Sequence, residues 1–85
     1  MFEIRLLDTA VQDLAKLDQA VARRIIGRLR WLGENIHQVR REPLAGNLAG
    51  LFKFRVGDYR VIYQMLEAEQ VIVVHQIGHR REVYR

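Results

Sequence analysis

The sequence predicts an α+β fold in the order β-α-α-β-β-β, with two N-terminal helices packed on one face of a small antiparallel sheet. Three observations carry this expectation. Phe2, Ile4 and Leu6 alternate with polar residues at the start; apolar residues then recur at steps of three and four; and three β-branched or aromatic runs follow, near 51–56, 59–66 and 71–78. The chain has 85 residues, of which 49% are hydrophobic, enough for one core and a single domain over 1–85.

The elements follow in order. Glu3 and Arg5 separate the apolar residues of a first strand. Thr9-Ala-Val-Gln12 has the form of a capping box, so a helix is expected to begin there, with Ala10, Leu14 and Leu17 as its apolar stripe. Asp18 is placed to cap a second helix whose core positions are Val21, Ile25, Leu29, Leu32 and Ile36. Arg23, Arg24, Arg28 and Arg30 lie off or at the edge of that stripe, and Trp31 is expected along the domain edge. Periodicity is lost from His37 to Gly50, where Pro43, Gly46, Asn47 and Gly50 mark a loop. Leu44, Leu48 and Leu51 should pin that loop to the core.

The hairpin is more sharply specified. Gly57-Asp58 is a two-residue loop with Gly first, the pattern of a type II′ turn. That register sets Val56 opposite Tyr59, Arg55 opposite Arg60, and Lys53 opposite Ile62. Phe52, Phe54, Val56, Tyr59, Val61 and Tyr63 then face the helices, and Lys53, Arg55 and Arg60 share the other face. Like charges directly opposite one another cost stability, so this face calls for a counter-anion or a function. For the last strand, an odd loop (Glu67-Ala68-Glu69) would set Gln76, Gly78 and Arg80 among the cations and turn Val71, Val73, His75 and Ile77 to the helices. An even loop would bury Gln76. The odd loop buries more apolar surface and is the expectation.

The net charge is +4, and of 14 cationic residues 12 are Arg. Such a balance suits an anionic partner, nucleic acid or an acidic protein, and Arg favours bidentate contacts to phosphate or carboxylate. Without cysteine there is neither a disulfide nor a thiolate metal site. The start "MFEIRLL" lacks the apolar run of a signal peptide, and no stretch reaches the length of a membrane span, so a cytoplasmic location is expected. No HExxH, P-loop, GxSxG or Gly-rich dinucleotide motif occurs. His37, His75 and His79 have no metal-ligand spacing, and no cofactor or metal is expected.

What remains is a set of cations on an open sheet, with His79 and Tyr84 near the chain end. RNA fits it: phosphates would answer the clustered charge, and Tyr84 could stack on an unpaired base. The ribose 2′-OH can attack its neighbouring phosphate once a base removes its proton and cations stabilise the added charge. Arg55, Arg60 and Arg80 could supply the stabilisation. Lys53, crowded by Arg55 and Arg60, is the better base candidate, since like charge favours its neutral form and Arg stays protonated.

"GLFKFRVGDYRVIYQM", together with "IGHRREVYR" near the end, resembles the RelE branch of the RelE/ParE toxin superfamily, and the likeness extends over nearly the whole chain. The resemblance implies a type II toxin–antitoxin toxin: a metal-independent endoribonuclease that cleaves mRNA in the ribosomal A site and inhibits translation. It further implies a RelB-like antitoxin partner, contact with ribosomal RNA, and operator DNA bound only through the antitoxin complex. By the same resemblance Lys53, Arg55, Arg60, Arg80 and Tyr84 form the catalytic set, with His79 and Arg81 joining Lys53, Arg55, Arg60 and Arg80 in binding RNA. Arg60 would hold the phosphate, Arg80 would assist the leaving group and Tyr84 would orient the substrate. The spacing from Arg80 to Tyr84 is shorter than the resemblance implies, and with the sequence ending at Arg85 no C-terminal helix of the kind found in some relatives is expected. Two alternatives share the fold: a ParE-like toxin that poisons gyrase, and a non-catalytic module acting as corepressor with its antitoxin.

Overall fold

In the computed structural model, which describes residues 1–81, the elements run β1 (Glu3–Leu6), α1 (Asp8–Ala15), α2 (Gln19–Asn35), β2 (Glu42–Pro43), β3 (Phe52–Val56), β4 (Tyr59–Leu66) and β5 (Val71–His79). Short 3-10 turns at Ile36–Gln38 and Gly46–Leu48 flank β2. The five strands form one sheet in the order β1-β5-β4-β3-β2. The predicted order of helices and strands holds, with two corrections to the sheet. It is mixed, because β1 pairs parallel to β5, and it gains β2 within the segment expected to be a loop. Pro43 is tolerated there because β2 is an edge strand.

The core lies between the sheet and the helices. Ile25, Leu29 and Leu32 of α2, Ile36 just after it, and Ala10 of α1 are buried against Phe54, Val56, Val61, Tyr63, Ile72, Val74 and Ile77. Leu14, Leu17 and Val21 pack against the same cluster, as the 3.6-residue period requires. Asp18 caps α2 by accepting from the Ala20 N–H at 3.1 Å. The capping box at Thr9 does not form: α1 begins at Asp8 after Leu7, without a side-chain cap. Thr9 instead donates its hydroxyl to the His75 carbonyl at 2.6 Å, and Asp13 accepts from the Ile77 N–H at 2.9 Å. These bonds occupy the edge of β5 beyond the four residues that β1 covers.

The β3–β4 hairpin has the predicted register throughout, including Arg55 directly opposite Arg60. Gly57 has φ 59° and Asp58 is not in the positive region, as a II′ turn demands. The next hairpin differs from expectation. Leu66 pairs with Val71, so the loop has four residues, Glu67 to Gln70, and Gln70 takes a left-handed φ of 56°. That even loop turns Ile72 and Val74, rather than Val71, Val73 and His75, to the helices. Gln76 nevertheless stays off the core, because the register shifts at Ile62/Tyr63: Tyr63 pairs with Val74 and Ile62 with Gln76. His75 is the extra residue of a β-bulge, which resets the alternation so that Ile77 returns to the core.

Two glycines of α2 make opposite demands. A Cβ on Gly33 would lie 2.6 Å from the Phe2 carbonyl oxygen, where the Phe2 N–H already bonds to Gly33 O at 2.9 Å, whereas Gly27 faces open space. Gly33→Ala should therefore cost about 1–3 kcal/mol by prising β1 from α2, and Gly27→Ala should add about 0.5–1 kcal/mol through helix propensity; urea unfolding of both checks the opposite signs. Tyr63 is fully buried with no partner for its hydroxyl among the described residues, and burial pushes its phenol above the ordinary value of 10.0. Because the folded state holds the neutral form, this group's contribution is complete below about pH 10 and is lost as pH rises through the raised value. Tyr63→Phe should stabilise by about 1 kcal/mol at neutral pH and flatten the alkaline fall in stability, read from melts across pH 8–11.

Candidate functional site

The face of the sheet away from the helices carries Lys53 and Arg55 from β3 and Arg60 from β4, because alternation sends every second residue there. Lys53 stands opposite Ile62, Arg55 opposite Arg60, and Arg60 opposite Gly78 of β5, which sets no side chain beside the guanidinium. Arg60 is held in place by its own turn, donating to the carbonyls of Gly57 at 3.3 Å and Tyr59 at 3.2 Å. The Arg80 N–H bonds to Asp58 O at 2.9 Å, which keeps the backbone after β5 beside the same turn. Three cations of the predicted set thus share one face, and a fourth follows at its margin.

Sequence reasoning missed Glu42. It pairs across the sheet with Lys53, and its Oε2 lies 3.7 Å from Lys53 Nζ and 3.6 Å from Arg55 Nε. That oxygen is shielded from solvent and has no hydrogen-bond partner among the described residues, although the glutamate side chain as a whole is 45% exposed. Glu42 is the counter-anion that the clustered charge called for, and it opposes the like-charge crowding on which the base role of Lys53 rested. The signal for it is weak in one dimension, since nothing in "RREPLAG" announces a two-residue strand aligned with β3.

Two other predicted residues lie elsewhere. His79 pairs with Tyr59 and packs its ring edge-on against it at 5.7 Å, on the helix side rather than among the cations. Its Nδ1 accepts from the Arg81 N–H at 3.2 Å, and Arg81 itself is exposed. Tyr84 falls outside the described residues. Leu48 and Leu51 do not join the helix-side core: with Ile62 they line a cleft on the cationic side of the sheet, and the Leu44 N–H bonds to Leu51 O at 3.0 Å to close their loop. Trp31 stacks on Phe54 at 6.5 Å along the margin of α2, with Arg28 4.4 Å above its ring. Among the described residues no group of three or more His, Cys, Asp or Glu could hold a metal ion, and no helix is long and apolar enough to cross a membrane.

Comparison with known proteins bears on this face. A family profile described as the ParE toxin of type II toxin–antitoxin system, parDE, matches residues 4–84. The toxin RelG of Mycobacterium tuberculosis is 29% identical over 86 residues, spanning 99% of this chain and 97% of its own length. Among solved structures, the toxin–antitoxin complex RelBE2 of Mycobacterium tuberculosis contains a chain similar at TM-score 0.84 and 29% identity, over 93% of this chain and 98% of that one. The isolated RelE toxin of E. coli shares the fold at TM-score 0.76 and 20% identity, over 99% and 92% of the two chains.

Glu42 screens Lys53 and Arg55 from any incoming anion. Glu42→Gln should therefore bind a short single-stranded RNA a fewfold more tightly at low salt, an energy on the order of 0.5–1 kcal/mol. The gain should shrink as salt is raised. Fluorescence anisotropy across a salt series measures both.

Proposed function

The chain belongs to the ParE toxin family of type II toxin–antitoxin systems, within the RelE/ParE superfamily, and from that premise we propose that it inhibits translation by cleaving mRNA in the ribosomal A site. The observation that carries this reading is that Lys53, Arg55 and Arg60 share one face of the sheet, with Glu42 between the first two and Arg80 tied beside the turn that holds Arg60. Like charges set directly opposite each other at Arg55 and Arg60 are a cost that a bound phosphate would offset.

In the proposed reaction a base takes the proton of a ribose 2′-hydroxyl, and that oxygen attacks the adjacent phosphorus. The bond from phosphorus to the 5′ oxygen breaks, leaving a 2′,3′-cyclic phosphate on one fragment and, after the departing oxygen takes a proton from solvent, a 5′-hydroxyl on the other. Arg60, anchored by two backbone carbonyls, holds the phosphate, and Arg55 shares the charge that accumulates on it. Arg80 stabilises the departing oxygen. The proton goes to Lys53 or to Glu42, which lie against each other beside Arg55. Tyr84 and Arg81 complete the RNA contacts, with no metal required because the cations meet the phosphate charge. A RelB-like antitoxin, the kind of partner that the mycobacterial complex contains, would silence the toxin by covering the basic face, and the pair would bind operator DNA.

A second reading follows from the description of the matching family: the chain would poison gyrase, as ParE-like toxins do, and the basic face would not be catalytic. Single-turnover cleavage of mRNA on programmed ribosomes across a pH series separates the two. Arg60→Ala should lose on the order of 10²–10³ in rate. Lys53→Arg should lower the rate and shift the pH profile if Lys53 is the base, whereas Glu42→Gln should do so if the carboxylate is. Parental cleavage by all three variants, or no cleavage by the parent together with gyrase inhibition, would overturn the ribonuclease reading.

A further inference from the structure

Beside the cations, on the same side of the sheet, an open cleft of about 360 Å³ is lined by Ile62, Leu48, Leu51, Asp13, Thr9 and Gln76, with His75 at its margin. We propose that this cleft is a nucleobase subsite that selects bases bearing an exocyclic amino group, cytosine, adenine or guanine, over uracil; the proposal rests on the ribonuclease reading and names the feature of the substrate which that reading leaves open.

The cleft is built by the bulge. Without the extra residue His75, the four-residue loop before β5 would turn Gln76 into the core; with it, Gln76 stands directly opposite Ile62 on the outer face. The His75 imidazole is paired with Gln64 Oε1 at 3.1 Å, whereas the Gln76 side chain is exposed and makes no hydrogen bond among the described residues. Ile62 is 2% exposed and lies outside the helix-side core, so it is a buried apolar floor whose cover is the loop carrying Leu48 and Leu51. Its volume falls within the range of small-ligand sites, about 300–1,000 Å³, and apolar walls with a few fixed polar groups are what a planar base requires.

Polarity sets which end of a nucleotide enters. Arg60 and Ile62 are two residues apart on the same face, about 6.6 Å along the strand, and Lys53 stands directly across from Ile62. A phosphate held by the cations thus leaves its base within reach of the cleft. At the far side stands Asp13, whose Oδ2 accepts the Ile77 N–H at 2.9 Å while the carboxylate keeps further acceptor capacity. A carboxylate repels phosphate and accepts from an amino group. Cytosine offers such a donor, and uracil offers a carbonyl oxygen at the same position. Gln76 supplies an amide that both donates and accepts. Thr9 is committed elsewhere, its hydroxyl donating to the His75 carbonyl.

Backbone amide resonances of the isotope-labelled chain, titrated with cytidine 3′-monophosphate and uridine 3′-monophosphate, test the assignment without requiring cleavage. Shifts at Ile62, Gln76 and Thr9 with the cytidine nucleotide, at least several-fold weaker with uridine, are expected; Asp13→Asn, which keeps an oxygen to accept the Ile77 N–H and replaces the free acceptor by a donor, should remove that several-fold preference. Shifts confined to Arg55 and Arg60, equal for the two nucleotides, or no response of the cleft to either, would overturn the subsite. Cleavage of ribosomes programmed with a panel of A-site codons adds a second measurement. Asp13→Asn should change the ratio of rates between cytosine- and uracil-bearing codons, while Arg60→Ala should lower all of them together. A parent that responds in the titration and cleaves no codon would leave the subsite standing and remove the ribonuclease reading. An Asp13→Asn chain with the parental codon ratio would remove the subsite alone.

Discussion

Strand β5 must satisfy backbone hydrogen bonds on both edges over nine residues, and only one edge has a full-length partner. On the other side β1 is four residues long and stops at Leu6. The rest of that edge is completed by side chains of α1, Thr9 to the His75 carbonyl and Asp13 to the Ile77 N–H. An unpaired buried backbone group costs about as much as a lost hydrogen bond, so α1 cannot slide or rotate without exposing the edge. The helix is thereby tied to the sheet through the strand that also carries the bulge. The cleft, the position of Gln76 and the return of Ile77 to the core all follow from this arrangement.

The two faces of the sheet solve different problems. The helix side is apolar; among the described residues Tyr63 is the one polar-tipped member of its fully buried side chains, and its hydroxyl, without a partner among them, is the cost of an aromatic ring that packs against Phe52 at 5.6 Å. The outer side concentrates positive charge at Lys53, Arg55 and Arg60, and Glu42 answers it at the first two. Glu42 approaches two cations at 3.6–3.7 Å, which is ion-pair range without close hydrogen-bond geometry. Such a pairing steadies the cluster and leaves room for another anion. It also links β2 to the chemistry, although β2 contributes only two residues to the sheet.

Membership in the RelE/ParE superfamily settles that the chain is a toxin of a type II system, and a shared fold does not by itself fix a target. The proposed ribonuclease reading therefore rests on the outer face and its side chains. Charge on that face is a reason to look for phosphate, and the cleft beside it, polar at one end and apolar on its floor, is a reason to look for a base.

The elements written into the sequence are those specified by neighbouring residues. The stripe from Val21 to Ile36, the Asp18 cap and the Gly57-Asp58 turn each depend on contacts a few residues apart, and the hairpin register that sets Arg55 against Arg60 follows from the turn alone. By itself, then, the sequence determined the helices, the central hairpin and the shared face of Lys53, Arg55 and Arg60. Tertiary structure alone decided the rest. The parallel pairing of β1 with β5, the bond from Thr9 to a carbonyl 66 residues away, the bulge at His75 and the seat of Glu42 beside Lys53 are long-range choices, and His79 goes to the helix side with them. Thr9 reads locally as a cap because a hydroxyl near a helix start usually finds a backbone N–H there; here an unsatisfied strand edge offers it a carbonyl instead. Each such choice is made by which backbone edge or charge remains unanswered once the local elements have come together, and that balance does not exist until they do.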